Sequence, residues 1–94
     1  MNFNGTGTVA IRASGNVSSI TDNNIGDYTV NFTTAMPDAD YAAQVTGGDG
    51  SVATATIAQG PFLTAPTVSN WRFVTVSSSF VGKDSTYVNA SFFR

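Results

Sequence analysis

Ninety-four residues with 41% hydrophobic content suffice for one small domain and one core. Only 11% of residues are charged and the net charge is −2, against about 25% charged in ordinary globular chains. No basic patch is available to neutralise phosphates, which argues against a nucleic-acid partner or an anionic membrane surface. There is no Cys and no His. Disulfides, thiolate sites, the commonest general base and the commonest transition-metal ligand are therefore absent. Glu is absent too and Lys83 is the only lysine, so the surface must be made polar by Ser, Thr, Asn and Gly, a composition that suits strands. No apolar run is long enough to span a membrane, and "MNFNGTGTV" lacks the basic and apolar regions of a signal peptide.

Period-two alternation then recurs along the chain. Residues 7–14 place Val9, Ile11 and Ala13 on one face and Arg12 on the other. Ser14-Gly15-Asn16 breaks this run, 16–22 follows, and Asn23-Asn24-Ile25-Gly26 has the chemistry of a hairpin turn. Residues 27–33 alternate cleanly, with Tyr28, Val30 and Phe32 facing one way. After a break at Ala35-Met36-Pro37-Asp38, residues 41–46 set Tyr41, Ala43 and Val45 against Ala42, Gln44 and Thr46. Gly47-Gly48-Asp49-Gly50 reads as a permissive turn and 51–59 as a strand of small and β-branched residues. Gly60-Pro61 and Ala65-Pro66 bracket a longer loop before a strand at 68–78. Val81-Gly82-Lys83-Asp84 is expected to close a last hairpin into 86–93, where Val88, Ala90 and Phe92 share a face.

Seven such strands, spaced roughly every 8–12 residues, predict an all-β fold: a single antiparallel β-sandwich or barrel-like domain over residues 1–94. The 68–78 strand is apolar on both faces, with Trp71 and Phe73 on one and Val74 and Val76 on the other. Such a strand is either central or covered by another chain. These four residues are accordingly candidates for core or interface.

Several segments resemble functional motifs. Asp22, Asn24 and Asp27 offer oxygen ligands for Ca²⁺, but Gly26 stands where a calcium loop needs a ligand and no Glu closes the site. A hairpin turn explains the run better. The lone "GGDG" reads as a flexible turn. "GTGTVA" lacks the third Gly of a dinucleotide fingerprint and leads into a strand. Asp38 and Asp40 sit beside Pro37 with no sign of a cleft, unlike paired glycosidase carboxylates. No catalytic, cofactor-binding or metal residue is assigned. Among the aromatics Phe62, Trp71, Phe80 and Tyr87, a core place is expected for mid-strand Trp71. Phe62 and Phe80 have loop residues as neighbours and are the candidates for surface contact with sugar rings.

The nearly continuous stretch "NFNGTGTVAIRASGNVSSITDNNIGDYTVNFTTAMPDADY", Asn2 to Tyr41, resembles a module of tailed bacteriophages, especially marine and cyanobacterial types. That module often forms the C-terminal part of tail-fibre or other virion proteins. The ending "DSTYVNASFFR" is similar to its final strand. The resemblance implies a structural role in the phage virion and carries no catalytic residues. With the low charge, it leads to the expectation of a non-enzymatic β-domain of a tail fibre or appendage. Such a domain would assemble with copies of itself as a homotrimer, join other virion proteins and turn its loops to host-surface glycans. The alternative is a capsid decoration or cement protein stabilising the phage head. The start Met directly before Asn2, where the family has a Trp after a longer fibre sequence, favours that alternative. A depolymerase is the third reading, and only Asp residues could serve it as acid or base.

Overall fold

Across the alternating stretches 27–32, 42–46 and 88–92 the backbone is extended and paired. A computed structural model of the chain describes residues 1–6, 10–13, 16–48 and 56–93. Among these residues lie eight strands: β1 (Asn2–Asn4), β2 (Ala10–Ala13), β3 (Val17–Asn24), β4 (Asp27–Phe32), β5 (Ala42–Gly48), β6 (Thr56–Gln59), β7 (Asn70–Ser77) and β8 (Tyr87–Phe93). They form two four-stranded sheets, ordered β2-β1-β8-β5 and β3-β4-β7-β6. Every pairing is antiparallel. Of the two predicted all-β architectures, sandwich or barrel-like, this is the sandwich, and β5 and β6 lie against each other along one side of it.

Side-chain facing follows the alternation. Tyr28, Val30 and Phe32 of β4 point inward, as do Val88 and Ala90 of β8. Tyr41 is buried ahead of β5, and Ala43 and Val45 pack against the core from it. Rings run through the centre from end to end. Phe3 meets Tyr28 edge-on with centroids 5.2 Å apart, Tyr28 meets Phe73 at 5.7 Å, and Phe73 stacks on Trp71 at 5.5 Å. Trp71 meets Phe92, which meets Phe32 at 4.9 Å, which meets Tyr41 at 5.5 Å. Each such pair contributes about 0.5–1.5 kcal/mol beyond the burial of its area. Tyr41 satisfies its hydroxyl on the Thr67 and Asn70 carbonyls, and burial raises its phenol pKa.

Three differences from the sequence reading stand out. β1 is additional: three residues are too few to show alternation, yet Phe3 is fully buried and β1 sits between β2 and β8. β5 runs on through Gly47 and Gly48, which pair with Val88 and Tyr87 instead of turning. No hairpin joins β7 to β8, because the two strands belong to different sheets. The segment between them first turns back beside β7 and then crosses over. The predicted strand residues 7–9, 14 and 51–55, the facing of Val9, Ile11 and Ala13 against Arg12, and the Asp49-Gly50 part of the glycine-rich turn lie outside the described residues.

Candidate functional site

Of the two places that its apolar faces allowed, within the fold or against another chain, β7 takes a central position in its sheet, flanked by β4 and β6. Trp71 is 3% exposed and Phe73 fully buried on the inner face. Val74 and Val76 point to the outer face of the sheet and are nonetheless buried, because three loops rise around them. Beyond Gln59, where β6 ends, the chain stays beside β7, and Phe62 N donates to the Arg72 carbonyl at 2.9 Å. Beyond Ser77 it turns tightly, with Phe80 N donating to the Ser77 carbonyl at 2.9 Å, and Gly82 bridges back to Val76. The β3–β4 turn supplies the third wall through Asn24 and Ile25. Together these segments enclose a groove of about 350 Å3, lined by Asn24, Ile25, Asp27, Gln59, Phe62, Val74, Val76, Phe80 and Gly82.

The turn at Ile25-Gly26 is locked to the returning segment. Gly26 has φ +71°, a left-handed conformation natural to glycine, and a Cβ there would collide with the Thr75 carbonyl and with Lys83 N. Its carbonyl accepts from Thr75 N at 2.7 Å and its amide donates to Asp84 Oδ1 at 2.8 Å. The same Asp84 oxygen lies 2.6 Å from the Tyr28 hydroxyl, which also stands 2.9 Å from the Gly5 carbonyl. Burial, and after it the Asp84 carboxylate, push the Tyr28 phenol well above its ordinary value. Tyr28 therefore remains neutral and a hydrogen-bond donor. Two other loop residues adopt the left-handed region without being glycine: Leu63 (φ 60°) and Phe80 (φ 61°). Each costs about 1–2 kcal/mol relative to a right-handed conformation. Both are largely exposed, at 79% and 73%, so burial of the side chain does not offset that strain.

One ion pair crosses the outer face beside the groove. Arg72 grips Asp27 with two bonds, Nε to Oδ1 at 2.9 Å and Nη2 to Oδ2 at 2.6 Å. The guanidinium also lies over the Phe62 ring, 5.7 Å from its centroid. The bond to Arg72, helped by Asn23 and opposed by burial, lowers the Asp27 pKa, and the bond to Asp27 raises that of Arg72. On the far side of the pair the sheet surface is a polar ladder. Asn31 Nδ2 reaches Thr21 Oγ1 at 2.9 Å and Ser19 Oγ at 3.1 Å, and Asn23 Nδ2 reaches Thr29 Oγ1 at 2.8 Å.

The two sequence-predicted contact residues, Phe62 and Phe80, thus converge on one groove from loops on opposite sides of β7. Trp71 and Phe73 form core beneath it and Val74 and Val76 its floor. Tyr87 is exposed but lies on the other sheet. The Asp22–Asp27 run is the end of β3, a two-residue turn at Ile25-Gly26 and the start of β4, and its Asn24 and Asp27 serve the fold: Asn24 Oδ1 accepts from Ile25 N at 2.8 Å, and Asp27 is held by Arg72. Asp38 likewise accepts from Asp40 N at 2.9 Å. Sequence reasoning missed Gln59, Ile25 and Asp84. For Ile25 the signal was present, as an apolar residue at the tip of a polar turn. No protein-family model matches this chain, and no curated protein or solved structure matches it.

Proposed function

We propose that this chain is a non-enzymatic structural β-domain of a bacteriophage virion, part of a tail fibre or another appendage. It assembles with copies of itself, as a homotrimer, and turns its outer-face groove toward host-surface glycans. The observation that carries this reading is the convergence of Phe62 and Phe80 on one groove beside polar side chains, the usual makeup of a sugar-stacking surface. The resemblance of Asn2 to Tyr41 to the phage module supplies the setting.

The opposite face supports assembly. On the first sheet Ala42, Gln44, Thr46, Asn89 and Ser91 point outward with Tyr87 and Phe93, and among the described side chains this face carries no charge. Interface cores are depleted in charged residues because desolvating them is unfavourable. The same surface would serve the second reading, a decoration protein bridging capsid subunits. Multi-angle light scattering of the purified chain tests self-assembly: a trimer mass is expected, and a monodisperse monomer at micromolar concentration overturns it. Antibody labelling of intact virions separates tail from head.

A further inference from the structure

We propose that the groove over Val74 and Val76 is a subsite for one neutral pyranose ring, stacked on Phe80 and Phe62 and held through its hydroxyls by the Gln59 and Asn24 amides. The proposal rests on the glycan-contact reading above and names the sugar class.

Three features select this ligand. The first is the presentation of Phe80. Its backbone is left-handed and its ring largely exposed, so the fold gains little from holding an aromatic there, whereas a ligand with an apolar face gains a stacking surface. A pyranose has such a face in its axial C–H groups. The second is hydrogen-bonding capacity. Among the described residues the Gln59 amide has no partner, and Asn24 uses its Oδ1 on Ile25 N while its Nδ2 makes no bond. These are neutral donors and acceptors at the rim of an apolar floor, the mixture that small-ligand pockets use to fix orientation.

The third feature is charge. Among the described residues, the charged side chains lining or flanking the groove are Asp27 and Arg72, and they neutralise each other in a two-point bond. Lys83 turns instead to Thr56 Oγ1 at 3.1 Å. An acidic sugar entering the groove would lose hydration of its carboxylate without gaining a cation, in a chain of net charge −2. A neutral ring avoids that loss. The volume of about 350 Å3 accommodates a single ring and its substituents, at the small end of ligand pockets.

The test uses the whole chain. Amide resonances are followed while methyl β-galactopyranoside, methyl α-glucopyranoside, methyl α-mannopyranoside, glucuronic acid and N-acetylneuraminic acid are added. At least one neutral glycoside is expected to give saturable shifts at Asn24, Gln59, Phe62 and Phe80, with both acids about tenfold weaker or more. Phe80→Gly and Gln59→Ala should each weaken the neutral sugar at least about fivefold while leaving the remaining resonances in place. Shifts that follow protein concentration instead of sugar would mean that a second copy fills the groove, and would overturn the proposal. So would equal or tighter binding of an acid, or no saturable shift with any neutral glycoside. Retention on beads carrying dextran, mannan, galactan or alginate separates the two levels. Retention on alginate alone leaves glycan contact standing and removes the neutral-ring assignment; retention on none removes both.

Discussion

Both faces of β7 carry buried apolar side chains, and they are closed in different ways. Trp71 and Phe73 meet rings from both sheets and lie inside a continuous aromatic core. Val74 and Val76 meet loops, and loops leave a groove. A strand apolar on both sides is therefore not a simple sign of a doubly packed layer. One face builds the domain and the other creates a partly covered surface whose remaining contacts lie outside the fold. The ion pair of Arg72 with Asp27 marks the edge of that surface, where apolar floor gives way to polar ladder.

The largest effect should come from the inner face. Trp71→Ala removes a ring at the centre of the aromatic chain and is expected to cost roughly 3–5 kcal/mol, lowering the melting temperature by about 4–8 °C for each kcal/mol in a domain of this size. Calorimetry reads this directly, and an unchanged melting temperature would end the distinction between the two faces. A smaller effect belongs to the boundary. Because the folded Asp27 has a pKa below its ordinary 3.8, the unfolded chain binds more protons in the window between the two values. Stability from this group is therefore complete above about 3.8 and is lost as pH falls through the lower folded value. Urea titrations from about pH 5 down to about pH 2 should show a shallower acid limb for Asp27→Asn than for the wild type. Parallel limbs would mean that the pair contributes nothing to folding. The smallest effect lies at the groove's rim. Phe80→Gly removes a largely exposed ring and relieves a left-handed backbone, so stability should change by less than about 1 kcal/mol and in the favourable direction. A loss of several degrees would show that Phe80 buttresses the loops.

Much of this architecture was legible because its strands are half-buried. Tyr28, Val30 and Phe32 declare an inward face without any knowledge of partners, and the double apolar pattern of 71–76 marks both faces of β7 as needing cover without saying what supplies it. What stayed hidden depends on partners. Phe3, between two Asn residues, becomes a core residue because β2 and β8 hold β1 in its sheet and its ring meets Tyr28 and Phe73 of the facing sheet. The residues Val81 to Asp84 have turn composition, and composition does not say whether the next strand joins the same sheet. Phe62 and Phe80 could be recognised singly as loop aromatics beside Gly-Pro and Ser. Their meeting across β7 could not, since it requires the 60–64 loop and the 78–83 return to rise on opposite sides of one strand. Asp84 gave no local sign that it would bind both the Gly26 amide and the Tyr28 hydroxyl.

That junction alters where the domain can accept foreign sequence. Tips of β-hairpins are ordinarily the places where added peptides are tolerated, and Ile25-Gly26 has the outward appearance of one. Here the tip is an internal joint: it abuts Gly82 and Lys83, donates to Asp84 and accepts from Thr75. An inserted loop would separate the early part of the chain from its late crossover. Ser78-Ser79, exposed beside the groove, has no such ties to an opposing segment among the described residues. It is the natural position for grafting, and a graft there would sit next to the surface assigned to ligand.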